Sequence, residues 1–265
     1  MKRRHFLGAG LAIAGSLAIN GSIPRAYAQV ANINDAINKS GRQRMLSQRL
    51  AKGYLQVGQA IDIERSRQIF TASLGLFEKQ LAELKAFAPT PENRATLDEC
   101  ERAWGSYKQT LLAHTPNAQD ARPVMAQNED VLALAHAATV QLEKFSGSPI
   151  GRLVNISGRQ RMLSQRMAKF YQAINWGVAP GDAAAKLAGA RKEFVAALAE
   201  LAASPKNTQQ IGDEIALVQQ QWIFFDNALN AAGRDRAQLA LNVATTSERI
   251  LQTMDGITGM YEKLT

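Results

Sequence analysis

Ten consecutive residues, Ser40-Gly41-Arg42-Gln43-Arg44-Met45-Leu46-Ser47-Gln48-Arg49, recur unchanged as Ser157 through Arg166, a constant 117 positions further on. Identity over that length at one offset is not chance, so the chain must adopt an architecture made of two like halves. The copy extends beyond the block: Asn38 and Asn155 precede it, and Ala51-Lys52 with Tyr54 is answered by Ala168-Lys169 with Tyr171.

Wound at about 3.6 residues per turn, each copy carries two stripes. One is an ordinary core face: Leu46, Leu50, Gly53 and Val57 in the first copy, Leu163, Met167, Phe170 and Ile174 in the second. The other follows three-and-four spacing through Ile33, Ile37, Ser40, Arg44, Ser47 and Ala51, and again through Ile150, Val154, Ser157, Arg161, Ser164 and Ala168. This is a coiled-coil-like seam of small residues around a central arginine. A helix with two seams meets two neighbours, and the second neighbour must accommodate the arginine.

Nearly every long window after residue 28 has helical periodicity, and the breaks are clean. Helices are expected at about 32–61, 63–87, 91–114 and 120–145, then at about 149–176, 182–203, from Ser204-Pro205 to about 232, and 234–263. Thr90-Pro91 and Ser204-Pro205 read as cap-then-proline starts. Ser146-Gly147-Ser148-Pro149 is the internal boundary. Phe194, Leu198 and Leu201 repeat Phe77, Leu81 and Leu84, and Trp222 falls near the counterpart of Trp104. No stretch alternates long enough to make a strand. The expected fold is all-α: two tandem antiparallel four-helix bundles, residues 29–146 and 147–265, each of about 115 residues.

Residues 1–28 read as a twin-arginine signal peptide: Arg3-Arg4 in a basic start, a weakly apolar run, and Ala26-Tyr27-Ala28 as the cleavage site. The mature chain is therefore expected in the periplasm. Its net charge falls from +8 to about +4, because Lys2, Arg3, Arg4 and Arg25 leave without an acid. That removes the motive for nucleic-acid binding. Some of the remaining excess lies in the repeated block, where Lys39, Arg42, Arg44, Arg49 and Lys52 are expected to meet no local carboxylate. Cys100 is the only cysteine, which excludes an internal disulfide and a haem-attachment motif and suits a small buried residue. His114 and His136 are the only histidines after the signal and neither is in a Glu-x-x-His arrangement, so each is assigned to a surface or cap and no metal site is expected. No nucleophile–base set, phosphate loop or cofactor motif is visible, and the chain is not expected to be an enzyme.

The arginine seam is where function is expected. A guanidinium on a seam needs a carboxylate, a row of carbonyls or a bound anion. No Asp or Glu lies within either ten-residue copy, so a carboxylate partner would have to come from another helix. If the seams face each other, Arg44 and Arg161 repel by about 3 kcal/mol at about 6 Å and an effective dielectric near 20. A small inorganic anion between them turns that into charge-assisted hydrogen bonds. Gly41, Gly158, Ser40 and Ser157 would leave the room, with Arg42, Arg159, Ser47 and Ser164 as secondary anion-site candidates. A different reading makes the chain a ligand-free adaptor that docks another helical bundle through the same seams, and a homodimer is compatible with either.

The Asn-x-Ser-Gly-Arg-Gln-Arg-Met-Leu-Ser-Gln-Arg motif at the head of a four-helix bundle resembles the N-terminal domain of type IV pilus methyl-accepting chemotaxis transducers, the PilJ-type domain. More distantly it is similar to the periplasmic sensor domain of nitrate/nitrite-responsive histidine kinases. The resemblance covers essentially all of the chain after residue 28. In those kinases the arginine before the methionine, one from each subunit, binds a single nitrate at the dimer interface. The resemblance carries that role to Arg44 and Arg161, with Gly41 and Gly158 at the close approach. The kinases place a smaller polar and an apolar residue where this chain has Arg42-Gln43 and Arg159-Gln160. The resemblance implies a sensor half alone, doubled so that one chain supplies both arginines, with a membrane-bound receptor or transporter as partner.

Overall fold

The computed structural model describes residues 29–264. The expected signal peptide lies outside the described residues. Eight helices follow in chain order: α1 (Ile33–Gly58), α2 (Ile63–Phe87), α3 (Pro91–Ala113), α4 (Ala118–Ser146), α5 (Pro149–Trp176), α6 (Ala183–Ala202), α7 (Gln209–Asn230) and α8 (Arg236–Glu262). Among the described residues there is no strand, and no helix is long and apolar enough to cross a membrane.

Most starts are fixed by side chains that accept the orphan amides of a first turn. Asn32, Thr90, Asn117, Ser148 and Asp235 cap α1, α3, α4, α5 and α8. The expected Ser204-Pro205 start of α7 is corrected: residues 203–208 form a turn, and Thr208 is the cap, accepting from the Ile211 amide at 3.2 Å. Gly147 and Gly177 close α4 and α5 in the left-handed conformation (φ 59° and 75°), which glycine adopts without a Cβ penalty.

Helices α1–α4 pack as one bundle and α5–α8 as its copy. The repeated aromatic triads hold equivalent places: Phe77 stacks on Trp104, which meets Tyr107 edge-on, and Phe194 stacks on Trp222, which meets Phe225 edge-on. The core stripes are buried as expected at Leu46, Leu50, Leu163, Met167 and Phe170, while Ile174 in the last turn of α5 is 45 % exposed. The bundles are joined chiefly through α1 against α5. Gly41 meets Gly158, Gln48 meets Arg166 and Gly58 meets Trp176, a near-constant offset, so the two helices run parallel about a pseudo-twofold axis.

The last of these contacts is tight. A Cβ at Gly58 would sit 2.9 Å from two ring atoms of Trp176 and closer to a third. Gly58→Ala gains up to about 1 kcal/mol of helix propensity but overpacks the α1–α5 contact, which costs about 1–3 kcal/mol. The expected outcome is a net loss of about 1 kcal/mol, read as a lower urea midpoint at unchanged m-value.

Candidate functional site

Both α1 and α5 lie at the centre of the molecule, and their arginines Arg44 and Arg161 are fully buried. The glycines explain how they converge. A Cβ at Gly41 would stand 3.2 Å from Arg44 Nη2, 3.6 Å from Arg161 Nη2 and 3.9 Å from Gly158 Cα. At Gly158 the corresponding distances are 3.0 Å to Arg161 Nη2 and 3.8 Å to Arg44 Nη2. Any side chain at either glycine would displace a guanidinium.

Each arginine reaches across the pseudo-axis to an asparagine of the other copy. Arg44 Nη2 donates to Asn155 Oδ1 (2.6 Å) and to the Asn155 carbonyl (3.3 Å). Arg161 Nη2 donates to Asn38 Oδ1 (2.8 Å) and to the Asn38 carbonyl (3.2 Å). The asparagine amides donate in turn to Glu143 and Glu262. The sequence shows these asparagines flanking both copies but gives no sign that they grip the opposite arginine.

The symmetry breaks at the remaining nitrogens. On α4 and α8 the repeat offset becomes 119: Glu129, His136, Thr139 and Glu143 correspond to Glu248, Asp255, Thr258 and Glu262. Arg161 Nη1 therefore meets the Asp255 carboxylate, which also accepts from Arg42 Nη2 at 2.9 Å. In the other half Arg44 Nη1 meets His136 Nδ1 at 3.3 Å. The carboxylate partner left open by the sequence thus exists for one arginine, supplied by α8. Among the described residues, none lies within ion-pair reach of Arg44. The expectation of no local carboxylate is also corrected for Lys39, which pairs with Asp35 one turn back at 3.0 Å and with Glu83 at 2.9 Å.

Electrostatics follow the geometry. Burial, then the nearby Arg159 and Arg161, pulls Arg44 down to about 9; burial pulls Arg161 to about 10, with Asp255 opposing. Both stay charged at neutral pH. Burial, then Arg44 and Arg159, lowers His136 to about 4, so its ring is neutral and Nδ1 can accept from Arg44. The Nε atoms of Arg44 and Arg161 are buried with no acceptor among the described residues. A buried charged donor left without an acceptor is costly.

The serines behave differently from the expectation that they open space at the seam. Ser40 Oγ contacts Thr139 Oγ1 on α4 at 2.9 Å, and Ser157 Oγ bonds the Val154 carbonyl of its own helix at 3.2 Å. Ser47 and Ser164 donate to the Arg44 and Arg161 carbonyls, both at 2.8 Å. The secondary candidates Arg42 and Arg159 pair with Asp255 and Glu193. The structure thus brings Arg44, Arg161, Gly41 and Gly158 together and engages the serines elsewhere. It adds Asn38, Asn155, His136 and Asp255. With α1 and α5 buried, the seams are not a surface on which a second bundle could dock.

Cys100 is buried and its thiol is pushed up to about 12 by desolvation. His114, at the end of α3, pairs with Asp120 at the surface. Among the described residues no group of three or more His, Cys, Asp or Glu side chains is placed to hold a metal.

The fold and the junction define the class: a duplicated four-helix bundle whose two copies meet at a buried, charged seam. The family model described as "Type IV pili methyl-accepting chemotaxis transducer N-term", PilJ, matches the chain twice, over residues 26–140 and 148–247. The chain belongs to this family, which is sensory rather than catalytic. No curated protein and no solved structure gives a significant match.

Proposed function

We propose that this protein is a periplasmic sensory binding protein that holds a small inorganic oxyanion, nitrate or nitrite first, between Arg44 and Arg161. The carrying observation is the pair of buried guanidinium groups meeting over Gly41 and Gly158 with both Nε donors unpartnered. A monovalent oxyanion supplies the acceptors these donors lack and offsets the repulsion between like charges. One chain supplies both arginines, so the site needs no dimer. Because the arginines sit on different copies, an anion bound to both favours one packing of α1 on α5. A membrane-bound partner that contacts both bundles would read that preference as a signal.

Isothermal titration with nitrate and nitrite tests the reading. Arg44→Lys and Arg161→Lys each keep the charge but lose the planar fork, and each is expected to weaken binding by at least about tenfold. Unchanged affinity in both variants, with folding confirmed by circular dichroism, would sink the proposal.

A further inference from the structure

A cavity of about 390 Å³ opens beside the paired arginines, between α4 and α6 with α5 as its floor, and Arg44 of α1 reaches its wall. The volume is in the range of small-molecule sites. Its charged lining is unbalanced: Arg44, Arg159, Arg166 and Lys186 against Glu129 and Glu193. Glu129 is taken by a two-pronged pair with Arg166, at 2.9 and 2.7 Å, and Glu193 is taken by Arg159. Arg44 is the fully buried cation left without a carboxylate. Leu132, Ala133, Met162 and Ala190 supply apolar surface beside it.

The second half of the molecule shows what such an arrangement accepts. Arg161 and Arg42 are the repeat counterparts of Arg44 and Arg159, and there a single carboxylate, that of Asp255, bridges the two guanidinium groups. In the first half His136 stands at the position of Asp255 and brings no charge. The bridging carboxylate of one half is missing from the other, and the cavity lies where it would enter.

We infer that the α4–α5–α6 cavity is a binding site for a small organic monocarboxylate. Its carboxylate bridges Arg44 and Arg159 beside His136, and its apolar body lies against Leu132, Met162 and Ala190. The site is distinct from the oxyanion position between Arg44 and Arg161, although Arg44 borders both. Recognition needs one negative charge and a compact hydrocarbon portion, which a bare inorganic anion lacks.

The probe is benzoate, titrated calorimetrically into the full chain. Two variants test the cavity while keeping both Arg44 and Arg161. Gly189→Phe fills the cavity from α6, where an added Cβ meets no atom within 4 Å, and Arg159→Gln removes one of the bridging cations. Benzoate is expected to bind the unaltered protein, and each variant should weaken it by at least about tenfold. Gly189→Phe should leave the nitrate titration unchanged. Circular dichroism melting curves verify that both variants fold. Absence of benzoate binding to the unaltered protein would overturn the inference, and so would benzoate binding that both variants leave intact. Either result leaves the oxyanion reading to stand or fall on its own lysine variants.

Discussion

Glu248→Gln is expected to destabilise the protein by about 3 kcal/mol and lower its Tm by about 10 °C. Glu248 on α8 pairs with Arg49 and Lys52 of α1, so the contact crosses from one repeat to the other. Lys52 is fully buried, and its other polar contact is Ser247 Oγ at 3.3 Å. Glutamine keeps the shape of the side chain and removes the charge, leaving a buried ammonium without a counter-ion, which is the costly way to break such a pair. Adding Lys52→Met should recover most of the loss, because removing both charges costs far less than removing one. Glu64→Gln, which breaks an exposed pair with Arg67, should change stability by less than about 0.5 kcal/mol. The twin cluster, Glu129 with Arg166 and Lys169, is more open to water, and Glu129→Gln should cost about 2 kcal/mol.

The same clusters set an acid limit. Burial alone would raise both carboxyls, but Lys169 and Arg166 outweigh it and hold Glu129 at about 2, as Lys52 and Arg49 do Glu248. A carboxylate whose pKa is depressed on folding contributes stability that is complete above its unfolded value, about 4.5, and is lost as pH falls toward the folded value. Unfolding free energy should therefore drop steeply between about pH 4.5 and 2, and less steeply in the two Glu→Gln variants. Urea denaturation at a series of pH values measures this directly.

The sequence reached the helices because their evidence is local: apolar spacing, the cap-then-proline start at Thr90-Pro91, and the Ser146-Gly147-Ser148-Pro149 break between the copies. For Arg44 and Arg161 it offered only a condition, that the two seams face each other, and a role carried over by the resemblance; the approach of the two over Gly41 and Gly158 comes from the packing of α1 on α5. What it missed depends on tertiary register. A stripe with three-and-four spacing says that Ser40 and Ser47 are covered, not by which neighbour, and for Ser40 that neighbour is α4. The asparagines were visible as flanking identities, but long arginine side chains lean toward the helix N-terminus, and that lean carries each guanidinium back to the opposite asparagine. His136 and Asp255 escaped because α4 and α8 have diverged and their offset differs by two residues from that of α1 and α5. The charge difference between the two halves was therefore hidden in the least similar parts of the repeat.

That asymmetry yields the second large effect: His136→Asp is expected to stabilise the protein by about 2 kcal/mol while abolishing benzoate binding. The substitution places in the first half the acid that the second half already has. Asp255 shows that a carboxylate at this position meets the arginine of its own copy and the arginine two residues before the other copy's. An aspartate at 136 would do the same for Arg44 and Arg159, replacing a neutral nitrogen acceptor at 3.3 Å with a charged one, and hydrogen bonds to charged groups contribute about 1.5–3 kcal/mol. The gain should be largest near neutral pH and disappear as the new acid is protonated. An internal carboxylate would also occupy the place of the ligand's, so stability and binding should move in opposite directions, as they do where a site is kept strained for its ligand. A symmetric effect is required of the mirror change: Asp255→His should destabilise, because it strips the buried Arg161 of the carboxylate it pairs with. A thermal-shift assay of both variants, with and without benzoate, separates this from a generic charge effect. If His136→Asp lowers Tm, Arg44 is already compensated by other means, and the difference between the two halves has no bearing on binding.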